Sequence, residues 1–181
     1  MEREGSGIQG VEKKGTPVMG IEIERKFLVK NDSWRLLGEG ARYRQGYLNM
    51  DKERTVRVRT IQGKGFLAVK GITQEGTRTE FEYQIPLADA ETLLDEICEK
   101  PLIEKKRYKI PIGGVIWEVD EYFGENKNLI VAEVELNTHA QAFDKPAWIG
   151  EEVTGDPRYF NSNLIKHPYS KWSGGLQGGE K

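Results

Sequence analysis

The sequence predicts a mainly β protein of the α+β kind, in which eight antiparallel strands close into a barrel flanked by a few short helices. Three observations predict it. Period-two alternation of apolar and polar residues recurs in eight short segments, several of them separated by turn signals brief enough for hairpins. Helical spacing is confined to short pieces. Nearly every strand also stacks like charges on one face, an arrangement better suited to a closed lining than to a solvated sheet.

The elements follow in order. Residues 1–18 are rich in Gly, Glu and Lys without sustained periodicity, so they read as a flexible extension, and the fold begins near Met19. In the first strand, Ile21–Val29, Ile21 and Ile23 share one face while Glu22, Glu24 and Lys26 share the other. A short helix is predicted over Ser33–Leu37, then strands over Arg42–Asn49 and Arg54–Thr60, the latter opposing Arg57 and Arg59 to Val56 and Val58. After the turn at Gln62-Gly63-Lys64-Gly65, strand Gly65–Gly71 carries Lys70 on one face and Leu67 and Val69 on the other. In Arg78–Leu87, Glu80 and Glu82 alternate with Phe81 and Tyr83. Leu87–Glu99 has helical spacing with Asp89 as its N-cap. Strand Ile103–Ile110 opposes Lys105, Arg107 and Lys109 to Tyr108 and Ile110. Gly113-Gly114 turns it into Val115–Phe123, where Glu118 and Asp120 oppose Trp117 and Val119. Asn128–Leu136 opposes Glu133 and Glu135 to Ala132 and Val134. Weaker helical stretches lie at His139–Phe143 and Asn161–Ile165, and residues 173–181 form a second Gly-rich tail. One domain over 19–172 results, as a chain of 181 residues with 37% hydrophobic content allows.

Composition narrows the function. With 27 Lys and Arg against 29 Asp and Glu, no global field calls for nucleic acid or an anionic membrane, so any charge-based function is local. No apolar run is long enough to span a bilayer, and the N-terminus lacks the apolar stretch of a secretory signal. Cys98 is the sole cysteine and lies on an apolar helical stripe with Leu93, Leu94 and Ile97, which fits a reducing compartment; the reading is a cytoplasmic protein. His139 and His167 sit at polar or proline-flanked positions suited to surface or capping roles.

Buried unpaired charges cost several kcal/mol, so a barrel lined with both signs must hold ions. Clustered Arg and Lys suit phosphoryl oxygens, and grouped carboxylates suit hard cations such as Mg2+ or Mn2+. Together they suit phosphoanhydride hydrolysis by water, with no side chain required as nucleophile.

The segment Glu22-Ile23-Glu24-Arg25-Lys26, with Arg57-Val58-Arg59, Lys70, the paired acids and Glu151-Glu152-Val153-Thr154-Gly155-Asp156-Pro157-Arg158-Tyr159, resembles the CYTH or triphosphate tunnel metalloenzyme superfamily over Met19–Trp172. It is most similar to the bacterial tripolyphosphatase branch. The resemblance implies an eight-stranded tunnel, hydrolysis of inorganic triphosphate to pyrophosphate and phosphate, and Mg2+ or Mn2+ as cofactor. It implies metal-site roles for Glu22, Glu24, Glu82, Asp120, Glu133 and Glu135, and a phosphate grip by Lys26, Arg57, Arg59, Lys70, Lys105 and Arg107. Lys26 and Lys105 are the catalytic candidates it suggests, Lys105 near the attacking water. Glu80, Glu118, Arg78 and Lys109 share the parity and are secondary candidates, and Arg158 and Lys166 could reach a tunnel mouth or pair at the surface.

The resemblance leaves the triphosphate open among inorganic, nucleoside, RNA 5′-terminal and thiamine forms, with inorganic triphosphate favoured on overall similarity. Related chemistries are cyclisation of ATP and non-catalytic polyphosphate binding; the carboxylates argue against the latter. A base-binding subsite would draw on Tyr43, Tyr47, Tyr122, Trp148 or Trp172, each of which also suits ordinary core. The partner expected is a small-molecule triphosphate, with no nucleic acid and no membrane, and a homodimer is left open.

Overall fold

The computed structural model describes residues 18–20, 23–51, 53–74 and 77–172. Apart from Val18, both predicted tails lie outside these residues, as do Glu22 and the side chain of Arg78.

Ten strands are described: β1 (Val18–Gly20), β2 (Ile23–Val29), β3 (Gly40–Asn49), β4 (Arg54–Ile61), β5 (Lys64–Gln74), β6 (Thr77–Ile85), β7 (Ile103–Ile112), β8 (Val115–Tyr122), β9 (Ile130–Leu136) and β10 (Ile149–Glu152). They form one antiparallel sheet in the order β1-β6-β5-β4-β3-β7-β8-β9-β2-β10. Two of its hairpins use the predicted turn chemistry. Gln62 and Gly63 between β4 and β5, at φ 47° and 75°, and Gly113 and Gly114 between β7 and β8, at φ 59° and 79°, supply the paired positive φ values that a two-residue turn needs to match strand twist.

The sheet is open, which corrects the expected closed eight-stranded barrel. Closure would require one side of β2 to pair with β6. That side is taken by β10, and only Val18–Gly20 reaches β6. β10 escapes the period-two reading because it is four residues long and contains Gly150, where a Cβ would stand 2.9 Å from the Leu28 carbonyl oxygen. The chain itself still ties the two flanks together. Gly20 and Ile23 are three residues apart, so their Cα atoms lie within about 11 Å, which holds the β6 side near the β9 side and curls the sheet into a trough.

The predicted helix over Leu87–Glu99 is α1 (Leu87–Thr92) followed by a π turn over Leu93–Ile97. Its N-cap is Pro86 rather than Asp89, which lies in the first turn. This segment lies on the convex side of β3, β4 and β5, where Ala90, Leu94 and Cys98 pack with Val58. Glycine permits the approach: a Cβ on Gly46 would stand 2.7 Å from that of Cys98, and one on Gly65 2.6 Å from that of Ala90. Residues 139–143 form no helix, Ser33–Leu36 is a 3-10 turn, and α2 (Asn161–Lys166) occurs where expected.

The largest core lies on the convex face of β2, β7, β8 and β9, built from Phe27, Tyr108, Ile110, Trp117, Val119 and Val134 with Trp34 and Trp148 laid against them. A second cluster lies inside the trough. There the C-terminal segment sets Tyr159, Leu164 and Ile165 against Leu28, Tyr47, Ile103, Tyr122 and Val131, filling one end of the inner face.

Candidate active site

Strand register settles which side chains share the inner face. Lys26 lies opposite Glu133, Glu133 opposite Glu118, Glu118 opposite Lys109, and Arg107 opposite Asp120. Tyr43 lies between Lys105 and Ile61, and Tyr47 opposite Arg57. Thr55 is opposite Lys70, Lys70 opposite Glu80 and Ala68 opposite Glu82. Alternation then places every described acidic and basic candidate of the sheet on one face.

The charges gather on two flanks. On β2, β7, β8 and β9, Lys26 Nζ bonds Glu24 at 2.8 Å and Glu133 at 2.5 Å. Arg107 donates Nε to Asp120 Oδ1 at 2.6 Å and Nη2 to Glu133 Oε2 at 2.7 Å, and it also binds Glu118. Lys105 Nζ reaches Asp120 Oδ2 at 2.5 Å. On β4, β5 and β6, Glu82 accepts from Arg57 at 3.3 Å and from Arg59 at 2.8 Å, while Lys70 meets Glu80 at 2.7 Å. Between the flanks β3 contributes Tyr43, Gln45 and Tyr47, with Gln45 Nε2 donating to Tyr47 Oη at 3.1 Å.

Exposure grades along the trough. Next to the apolar plug, the side chains of Asp120, Lys105 and Glu133 are 0%, 3% and 9% exposed. At the other end Glu24 is 41% and Lys109 61% exposed, and Glu135 is exposed without an ion pair among the described residues. On this flank, exposure therefore rises with distance from the apolar cluster.

This grading perturbs the titratable groups. Burial, then the nearby Glu133 carboxylate, raises Glu24 to about 7 despite Lys26. Burial also opposes the charge of Glu133, but Arg107, Lys26 and Lys105 outweigh it and hold the group far below the usual carboxylate range. Lys26 is likewise desolvated, yet Glu133 and Glu24 keep its ammonium above its ordinary value. Lys105 is pushed down by burial and then by Arg107. Arg57 is lowered by burial and by Arg59.

Two guanidinium donors stand out. Arg57 Nε and Arg59 Nε are buried with no hydrogen-bond partner, a condition that costs about 1–3 kcal/mol per group and that an anionic ligand would relieve. Among the described residues no three ligating side chains stand pre-assembled. Glu24 and Glu133, however, are hard oxygen donors converging on one ammonium, and the Glu133 carboxylate opposes ionisation of Glu24, a repulsion that a Mg2+- or Mn2+-class cation relieves.

Of the sequence candidates, Glu24, Lys26, Arg57, Arg59, Lys70, Glu82, Lys105, Arg107, Asp120 and Glu133 are brought into these two networks. Glu80 and Glu118 join them. Glu135 and Lys109 face the trough at its open end. Arg158 pairs with Asp156 at the surface, and Lys166 is exposed, as are both histidines. Sequence reasoning gave the inner face no Gln45, which lacks charge, and gave Asn161 no role, although its side chain accepts from buried Tyr122 Oη at 2.8 Å. Of the aromatic candidates, Trp148 is convex core and Tyr47 and Tyr122 belong to the plug. Trp172 packs on Tyr159 and Tyr169, while Tyr43 lies beneath Lys105 and Arg107.

The chain is similar to proteins of known name. An inorganic triphosphatase of Acetivibrio thermocellus is 53% identical over 154 residues, spanning 85% of this chain and 99% of that protein. One of Nitrosomonas europaea is 39% identical over 150 residues, spanning 79% and 95%. A crystal structure of an inorganic triphosphatase, 37% identical, superposes with a TM-score of 0.61 over 80% of this chain and 93% of its own. The profile of the CYTH domain matches residues 20–169, and the chain belongs to that family.

Proposed function

We propose that this protein hydrolyses inorganic triphosphate to pyrophosphate and phosphate within the trough, with a divalent cation of the Mg2+ or Mn2+ class. The observation that carries the reading is the gathering on one face of a basic grip with unfilled donors and an acidic pair suited to a hard cation. The naming of relatives 53% and 39% identical as inorganic triphosphatases supports the substrate.

Arg57, Arg59 and Lys70 bind phosphoryl oxygens on one flank, with Lys26, Lys105 and Arg107 on the other. Their existing partners Glu82, Glu80 and Asp120 keep these cations oriented before substrate arrives, which removes reorganisation from the reacting step. Glu24 and Glu133 would hold the cation, whose chemistry is to neutralise phosphoryl charge and acidify the attacking water. Water forms a bond to a terminal phosphorus while the bridging P–O bond breaks, pyrophosphate leaves with the electron pair, and the proton lost by the attacking water passes to the product phosphates or to solvent. Lys105, buried beside Tyr43, lies where its ammonium can orient the water or the phosphoryl group under attack. The apolar plug fills one end along β2, β3, β7, β8 and β9, so substrate enters from the Glu24 and Lys109 end.

Within this reading the domain spans 19–172. Among the described residues no helix is long and apolar enough to cross a membrane. Phosphate release from inorganic triphosphate with Mg2+, Mn2+ or chelator, beside ATP reactions assayed for cyclic AMP, tests the proposal. Metal-dependent turnover that prefers triphosphate is the expected result. Cyclic AMP formation, or no turnover of any substrate, refutes it.

A further inference from the structure

Lys26 is held by its side chain between two carboxylates, but its main chain is held by a different device. β10 pairs with β2 at Ile149–Val29 and Glu152–Phe27, and an irregularity lies between these positions. Beyond Glu152 the ladder continues partly through a side chain. The Val153 N–H donates to the Lys26 carbonyl at 2.8 Å, while the Lys26 N–H donates not to a backbone carbonyl but to Thr154 Oγ1, at 3.0 Å. The same hydroxyl donates to Glu152 Oε1 at 2.7 Å. Glu152 in turn accepts both arms of the Arg25 guanidinium, which lies over the Phe27 and Phe143 rings. A chain of contacts on the convex side thus ends at the one peptide group whose side chain projects into the trough between Glu24 and Glu133.

We propose that Thr154 is a positioning residue for Lys26: its hydroxyl, anchored by Glu152 and Arg25, replaces a strand carbonyl and fixes the height at which the Lys26 ammonium enters the trough. No other described group bonds the Lys26 N–H, so loss of the hydroxyl leaves that donor to solvent or to a shifted strand. Thr154 touches no reacting atom, and its effect on turnover passes through Lys26. The proposal rests on the hydrolase reading for its kinetic consequence only.

The test compares kcat/KM for inorganic triphosphate in wild type, Thr154→Val, Thr154→Ser, Lys26→Met and the Lys26→Met/Thr154→Val pair, with melting temperatures for each. Thr154→Val keeps shape and removes the hydroxyl. It lowers kcat/KM by about 10-fold or more, the scale of a misplaced catalytic group, while Thr154→Ser stays within about 3-fold of wild type. In the Lys26→Met background Thr154→Val adds less than about 3-fold, because residues acting as a unit are not additive. Wild-type kcat/KM in a folded Thr154→Val variant overturns the proposal, as does full additivity with Lys26→Met. If Thr154→Val does not fold, Thr154→Ala takes its place. A wild type that does not turn over triphosphate refutes the hydrolase reading alone. The clamp is then judged by amide hydrogen exchange at Lys26, which Thr154→Val must accelerate and Thr154→Ser must not; equal exchange overturns it.

Discussion

Asp120 gives the sharpest handle on how this trough is held. Its carboxylate is fully buried and accepts from Lys105 and, through both oxygens, from Arg107. Asp120→Ala leaves Arg107 with Glu118 and Glu133 but strips Lys105 of the ion-pair partner it has among the described residues, 3% exposed and beside another cation. Removing one member of a buried pair typically costs about 3–5 kcal/mol. For a domain of this size that lowers the melting temperature by about 6–20 °C. Urea titration with calorimetry reads the loss, and its pH dependence identifies the cause. Lys105 already titrates below its ordinary value in the folded protein, and the substitution lowers it further. The unfolded chain then binds more protons between the two values, so stability of the variant relative to wild type recovers as pH rises. A loss under about 1 kcal/mol, or one that grows with rising pH, refutes the view that Lys105 is a buried charge compensated by Asp120.

Other consequences are equally direct. Glu24 is raised to about 7 when folded from an ordinary 4.5, so without divalent ion its own contribution to stability is fully present below 4.5 and is lost as pH rises through 7; Glu24→Gln removes that component from pH-resolved melting. With limiting Mg2+ or Mn2+, turnover rises through the same range as the carboxylate ionises, and a pH-independent rate from 5 to 8 contradicts the metal-site role. Arg57→Ala removes a charge-assisted contact of about 1.5–3 kcal/mol and lowers kcat/KM for triphosphate by about 10- to 150-fold in phosphate-release kinetics. Gly46→Val drives side-chain atoms into Cys98 and Leu102 and costs about 1–3 kcal/mol of stability by urea titration, with the trough chemistry intact in the folded fraction.

The charged rows were legible because strand alternation is strictly periodic. Once Arg57 and Arg59, or Glu133 and Glu135, are two apart on one strand, their common face needs no knowledge of the neighbours. Register, closure and depth were not legible. Whether β2 pairs with β6 or with β10 depends on a four-residue strand around Gly150, too short for any periodic signal. Depth separates Glu133 from Glu135, identical in sequence pattern, because the C-terminal segment plugs the end near Glu133 and leaves Glu135 open. The Asp89 cap misled because Pro86, with its preset φ, already starts the helix three residues earlier. The Thr154 contact spans 128 residues and leaves no local trace.

The trough at rest is a closed electrical circuit: each cation that would take a phosphate already holds a carboxylate, and each carboxylate that would take a metal holds a cation. On the proposed reading, an incoming polyanion that draws Lys26 from Glu24 and Glu133 hands those carboxylates to the cation, and an incoming cation frees Lys26 for the polyanion. Each guest thus clears the other's seat. By reciprocity each guest would raise the other's affinity by the same factor, so the trough would favour a polyanion and a cation arriving together.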